Sequence, residues 1–335
     1  MKVFVAGATG ALGRRLVSLL VAEGHTVTAM SRSPEKAQAI RALGATPAIA
    51  DVLDDDAVTR AVGEARPEAV VHEVTALAGM RSLRGFDAKF ATTNRLRTEG
   101  TENLLEAARA AGARRFIAQS YTNWTNPREG GPVKDESDPL DPAPVPGQRR
   151  TLEAIRALER IVTGARGIEG LALRYGNLYG PGTGFASDGA IVEAVRRRQF
   201  PIVGDGGGIW SFIHVDDAAR ATLLALRAGA PGCYNITDDE PAPVSVWLPE
   251  LAAILGAPPP RRVPAWLGWL FVGAAGVSMM TRIRGSANAK ARRAFDWRPG
   301  FPSWREGFRA ELGAEAHDPG SSAVRFSTKA VTPSR

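Results

Sequence analysis

From the first residue to Arg174, short apolar runs alternate with stretches in which apolar residues recur every three or four positions. The runs Lys2 to Ala6, His25 to Met30, Thr46 to Ala50, Ala69 to Val74, Arg114 to Gln119 and Glu169 to Arg174 predict strands. Between them, Leu12 to Glu23, Pro34 to Leu43, Asp55 to Ala65, Thr93 to Ala111 and Arg150 to Thr163 carry the amphipathic spacing of helices. Strands such as VFVA, VVHEV and RFIAQ are built for burial, so the sheet must be covered on both sides, as in parallel βαβ units. The predicted fold class is α/β: a doubly wound parallel sheet of the Rossmann type with a smaller α-rich C-terminal substrate-binding domain. The rhythm stops between Thr122 and Gln148, where Asn, Pro, Gly and acidic residues predict a long loop after the fifth strand. Ligands bind outside such strand ends, and a loop of that length is usually functional or mobile. Further helices are predicted near Val246 to Leu255, Trp266 to Met280 and Trp304 to Leu312. Residues 1–178 and 209–232 are assigned to the nucleotide-binding domain, 179–208 and 233–312 to the cap, and the small polar residues 313–335 to a flexible tail.

At 335 residues, 44% apolar and 23% charged, the chain has ordinary globular usage and length for two domains, which excludes collagen-like, disulfide-scaffold and wholly disordered classes. Cys233 stands alone, so no internal disulfide forms, and the absence of a Cys/His cluster predicts no metal. The net charge of +7 raises the question of nucleic acid. The arginines are scattered, however, and the tightest groups, Arg149-Arg150, Arg196 to Arg198 and Arg261-Arg262, read as solvated faces, so no nucleic-acid partner is expected. Ala265 to Thr281 is uncharged but slightly short of the ~20 apolar residues that span a bilayer, and reads as a buried or pocket-lining helix. No membrane partner is expected. A strand begins at Lys2, where a signal peptide would stand, and the expected location is cytoplasmic.

The sharpest chemical signal is GATGALG, which follows the first strand directly and opens the first helix. Gly7 permits the tight turn, Gly10 lets the backbone approach a pyrophosphate, and Gly13 lets helix pack on strand. Thr9, Ala11 and Leu12 complete a turn whose helix N-terminus faces the anion. The second strand ends at Met30-Ser31-Arg32, where an NAD site would present a carboxylate to the ribose 2′-hydroxyl. Arg32, helped by Ser31, Ser33 or Lys36, suits a 2′-phosphate instead, so NADP(H) is expected over NAD(H). Asp51, followed by Val52, is placed after the third strand to accept a hydrogen bond from adenine.

By these residues the chain resembles the extended short-chain dehydrogenase/reductases, the NAD(P)-dependent epimerases, dehydratases and reductases. The resemblance runs from Met1 to about Leu312 and rests also on the Asp51-Val-Leu-Asp segment, GTENLLEAARAAGARRFIAQS, LRYGNLYGPG, FIHVDDAA and YNITDDEP. It implies that Val74, Thr75, Gln119, Tyr175, Asn177 and Leu178 border the cofactor, and that dimers, where they form, use the helices Thr93 to Ala111 and Arg150 to Thr163. A monomer or homodimer is expected. The family's acid/base pair is a Tyr followed four residues later by Lys, assisted by a Ser or Thr at the end of the fifth strand. Here Thr151 and Ile155 align with that pair, and no Tyr in the chain is followed four residues later by Lys. Ser120 and Tyr121 are the remaining candidates for proton transfer. Trp210 stands where sugar-nucleotide enzymes of the family carry a phosphate-binding Arg, so with Trp124 and Trp266 it predicts a flat, apolar substrate. The expected function is therefore an NADPH-dependent ketoreductase acting on a hydrophobic, aromatic polyketide-like small molecule. The alternatives are a nucleotide-sugar epimerase or dehydratase, and a non-catalytic NAD(P)-binding sensor or assembly protein.

Overall fold

A computed structural model describes residues 1–77 and 84–313. The predicted units form in order: β1 (Lys2–Ala6), α1 (Ala11–Ala22), β2 (Thr26–Ser31), α2 (Ala37–Ala42), β3 (Thr46–Ile49), α3 (Asp55–Ala65) and β4 (Ala69–His72). They are followed by α4 (Phe86–Lys89), α5 (Ala91–Arg97), α6 (Glu99–Ala110), β5 (Arg115–Tyr121) and α7 (Arg149–Thr163). With the strands Glu169–Tyr175 and Gly232–Ile236 they make a seven-stranded sheet whose paired strands all run parallel. Its order across the sheet is Gly232–Ile236, Glu169–Tyr175, β5, β4, β1, β2, β3. The chain winds outward in both directions from β1 and β4, and the crevice above their C-terminal ends is where a doubly wound sheet receives a ligand.

Side chains alternate across each strand, and two cores result. Val3 and Val5 of β1 face α1, where Leu16, Val17 and Leu20 are buried, while Phe4 faces the opposite layer with Leu104, Phe116 and Leu158. A third core fills the cap around Trp210, Phe212, Trp247, Trp304 and Phe308. It is built from α8 (Ala190–Arg196), α10 (Val244–Ile254), α11 (Ala265–Thr281) and α13 (Trp304–Leu312), whereas α9 (Val215–Ala225) packs on α1 and α12 (Ala289–Phe295) on the last strand.

The structure changes several expectations. Cys233 to Ile236, assigned to the cap from the sequence, belongs to the seventh strand and pairs in register with Ala172 to Tyr175. The single helix expected over Thr93 to Ala111 is two, joined at Thr98, whose φ of −95° and ψ of −84° leave the helical region. The loop Thr122 to Gln148 is tied down: Asn126 Nδ2 donates to the carbonyls of Arg284 and Gly285, both at 3.0 Å, and Val133–Lys134 pairs with Gly285–Ser286. The uncharged helix α11 bends at Gly273, φ 69°, and no helix among the described residues is long and apolar enough to cross a membrane. Of the expected tail, residues 314–335 lie outside the described residues.

Candidate active site

The glycine turn meets the steric requirements of a dinucleotide cradle. Gly7 sits at φ 87°, and a Cβ there would lie 2.6 Å from the Glu73 carbonyl. A Cβ on Gly13 would lie 2.2 Å from the Gly7 oxygen, so α1 can approach β1 this closely only with hydrogen at that position. No side chain caps α1 at Gly10, which leaves the first-turn N–H groups available to an anion. At the end of β2, Ser31 is buried and its Oγ accepts the Ser33 N–H at 3.2 Å, while Arg32 is exposed. Lys36 Nζ donates to Thr9 Oγ1 at 3.2 Å and so brings a cation against the turn. Asp51 Oδ1 accepts the Leu53 N–H at 3.0 Å, which holds the carboxylate in an Asx turn at the surface beside buried Val52.

At the C-terminal end of β5, half-buried Tyr121 donates through its hydroxyl to Asn177 Oδ1 at 2.8 Å. The Asn177 amide nitrogen is buried without a hydrogen-bond partner among the described residues. Burial pushes the Tyr121 phenol up to about 12, so it carries its proton at neutral pH and can serve as an acid but not as a base. Trp124 lies beside it, ring centroids 6.2 Å apart, edge-on to Phe86. Among the described residues no cluster of three His, Cys, Asp or Glu is placed to hold a metal.

Residues 3–237 match the NAD-dependent epimerase/dehydratase family. The chain belongs to that family. It is 49% identical over 317 residues to a 3-diazoavenalumate denitrifying reductase of a Streptomyces species, a match that covers 93% of this chain and all of that protein. It is 33% identical over 260 residues to a 4-hydroxy-2-methyl-3-oxo-4-farnesyl-3,4-dihydroquinoline-1-oxide ketoreductase of Stigmatella aurantiaca, covering 76% of this chain and 74% of the relative. Among solved structures it superposes on Thermotoga maritima UDP-glucose 4-epimerase with a TM-score of 0.74 at 24% identity, over 94% of this chain and 98% of that one. The protein is an NAD(P)-dependent oxidoreductase with reductases among its relatives.

Within this member of the epimerase/dehydratase family the geometry corrects several residue assignments. Ser120, expected to transfer a proton, is 1% exposed and donates its hydroxyl to Glu159 Oε1 at 2.7 Å, away from the cleft. Glu159 is in turn bound by Arg174 through two contacts of 2.7 Å. Tyr175, expected beside the nicotinamide, points into the α1/α9 core, its hydroxyl on Glu73 at 3.1 Å and Thr222 at 2.6 Å. Trp210, expected to touch substrate, is a core residue of the cap whose indole N–H donates to the Met279 carbonyl at 2.9 Å. Trp266 is 69% exposed on the outside of α11. Gln119, Val74, Thr75 and Leu178 are half-buried near the strand ends, with the Val74 N–H on His72 Nδ1 at 3.3 Å. Thr151 is buried and donates to Asp87 Oδ1 at 2.7 Å, a carboxylate that also receives the Arg150 and Thr151 backbone N–H groups and caps α7. Ile155 lies wholly in the core.

Sequence reading missed Glu73, although an acidic residue inside the run VVHEV was the available signal. Its carboxyl is buried under the glycine turn with Oε2 unpartnered among the described residues, and burial raises it to about 8. A carboxyl whose folded value exceeds its ordinary 4.5 binds more protons folded than unfolded, so it removes stability as pH rises from 4.5 to about 8. Glu73→Gln is expected to abolish that loss, gaining on the order of 2–4 kcal/mol over wild type at pH 8 and little at pH 5. Thermal melts across pH check this, and parallel melting curves for the two proteins would refute it.

Proposed function

We propose that the protein is an NADPH-dependent reductase of a flat, hydrophobic aromatic metabolite, with the diazo-bearing ring carbon as the hydride acceptor. The 49% identity along the whole of the denitrifying reductase carries this reading. A ketone is the second reading, favoured by the ketoreductase relative. Both reactions share one requirement. Reduction of an ionised ortho-hydroxyaryl diazo compound places a hydride on ring carbon, releases N2 and puts a proton on the neighbouring oxygen. Reduction of a ketone places a hydride on carbon and a proton on oxygen.

When bound, the reduced nicotinamide supplies the hydride. The glycine turn and the uncapped start of α1 would hold the pyrophosphate, and Arg32, Lys36 and Ser31 the 2′-phosphate. Asp51 would face the adenine, with Val52, Val74, Thr75, Gln119 and Leu178 along the cleft. Tyr121 would turn its single hydroxyl proton from Asn177 Oδ1 to the substrate oxygen and regain a proton from water. Trp124, 5% exposed within the cap core, would back Tyr121 rather than meet the substrate. A Tyr/Lys pair on α7 has no part in this scheme.

The test is NADPH oxidation by purified protein with a panel of ortho-hydroxyaryl diazo compounds and aromatic ketones, with product gas analysed by mass spectrometry. NADPH consumed with N2 release supports the diazo reading; alcohol formed without gas supports the ketone; tight NADPH binding with no consumption on either panel overturns both. Replacing Arg32 and Lys36 together by Ser and Ala is expected to cut the preference for NADPH over NADH by roughly 10- to 100-fold, since two charge-assisted contacts to the phosphate are removed.

A further inference from the structure

Two residues after Tyr121, Asn123 stands wholly buried at φ 97°, in the left-handed region that asparagine enters more readily than most side chains. Its side chain binds a distant main chain there. Oδ1 accepts the Ser211 N–H at 2.7 Å, and Nδ2 donates to the Ser211 carbonyl at 3.2 Å. The same carbonyl accepts the Asn177 N–H at 2.9 Å. Asn177 opens the short strand Asn177–Tyr179, which pairs with Phe212–His214, and a Cβ on the preceding Gly176 would lie 2.9 Å from the Ser211 oxygen. Asn177 Oδ1 in turn accepts the Tyr121 hydroxyl at 2.8 Å. These contacts close a ring that runs from Tyr121 through Asn177, Ser211 and Asn123 and back along the chain to Tyr121. Thr122, between the two ends, is held by its N–H on the Tyr175 carbonyl at 3.1 Å, so the ring has no slack on that side.

We propose that Asn123 is the positioning residue of Tyr121: by clamping both main-chain groups of Ser211 it fixes the end of β5 against the strand that carries Asn177, and so sets where the phenol rests and from which it turns to the substrate oxygen. This rests on Tyr121 being the proton donor. An amide is the group the clamp requires, because one acceptor and one donor must face a main-chain N–H and C=O together; an ionised carboxylate would set a second oxygen against the Ser211 carbonyl. Asn123 is buried and touches no reactant, so its effect is geometric. A misplacement of about 1 Å costs on the order of 100-fold in rate, which gives the clamp its leverage on turnover.

The experiment uses the full chain with Asn123→Gly, which keeps the positive φ and removes the clamp, Asn123→Asp, Tyr121→Phe, and Tyr121→Phe combined with Asn123→Gly. It reads NADPH oxidation on the substrate identified by the panel, and 19F spectra of protein labelled with 3-fluorotyrosine, in which Tyr121 is one of four tyrosines. Asn123→Gly is expected to lower kcat by about 10- to 100-fold with KM and NADPH affinity within about twofold of wild type. The Tyr121 resonance, assigned from Tyr121→Phe, should move more than the other three. Asn123→Asp should be slow at pH 8 and gain on wild type as pH falls, because the protonated carboxyl again offers a donor to the Ser211 carbonyl. The double variant should be no slower than Tyr121→Phe, since a residue that acts through the phenol then has nothing to act on. Should Asn123→Gly not fold, the same cycle is run with Asn123→Asp. Wild-type kcat in the Asn123 variant, a loss carried by KM or NADPH affinity, or a further loss beyond about threefold in the Tyr121→Phe background would overturn the proposal and leave the donor reading standing. Wild-type turnover in Tyr121→Phe overturns both.

Discussion

Gly13→Ala is expected to weaken NADPH binding by at least about 100-fold, because recognition of the pyrophosphate depends on the close approach of helix and turn. The added methyl would sit 2.2 Å from the Gly7 oxygen and 2.8 Å from Ala8 Cα, both backbone atoms that no rotamer change can move aside. Either α1 shifts from β1 or the turn opens, and both displace the first-turn N–H groups. The Gly7 peptide also abuts Glu73, so the disturbance reaches the buried Glu73, Tyr175 and Thr222 chain. Gly63→Ala is the matched control. It lies exposed in α3 with nothing within 4 Å of the added carbon, so it should stabilise by about 0.5–1 kcal/mol and leave NADPH affinity unchanged. Fluorescence titration of both variants decides the matter, and near-wild-type affinity in Gly13→Ala would refute the assignment of the turn.

The largest loss of stability is expected for Glu159→Ala. Glu159 and Arg174 are each 8% exposed, and the carboxylate accepts from the guanidinium and from Ser120. Removing it strands a buried cation and a buried hydroxyl together, at a cost of about 3–5 kcal/mol. For a chain of this size that corresponds to a fall in Tm of roughly 4–7 °C. The double variant Glu159→Met with Arg174→Leu should recover most of it, since no charge is then left unpaired. Calorimetry on the three proteins tests this. A fall of less than about 1 kcal/mol in the single variant would place the pair with solvent-screened surface ion pairs.

The same pair shows where sequence and tertiary structure divide. Strand β1 and helices α3 and α13 were predicted with the bounds they have, because burial on one or both faces imposes a period that a linear chain displays. The glycine turn was legible for a related reason: its requirement is local, a left-handed residue and two close backbone approaches within seven positions. The cap was read less well. Cys233 to Ile236 joins the main sheet only because the strand Glu169–Tyr175 leaves an open edge beside it.

Side-chain direction at the site was not legible. Ser120 and Tyr121 are neighbours in β5, yet one turns to Glu159 and the other to Asn177, because adjacent residues of a strand face opposite ways. Trp210, Trp124 and Trp266 are alike as residue types, and packing alone makes one a cap core residue, one the neighbour of Tyr121 and one an exposed ring. The sequence by itself determined the winding of the sheet, the place of the dinucleotide turn and the absence of a carboxylate at the end of β2, all consequences of short-range periodicity and composition. Only the tertiary structure decided that Glu159 is held by Arg174 while Nε and Nη1 of Arg97 have no partner among the described residues, because charge pairing depends on residues brought together from distant parts of the chain.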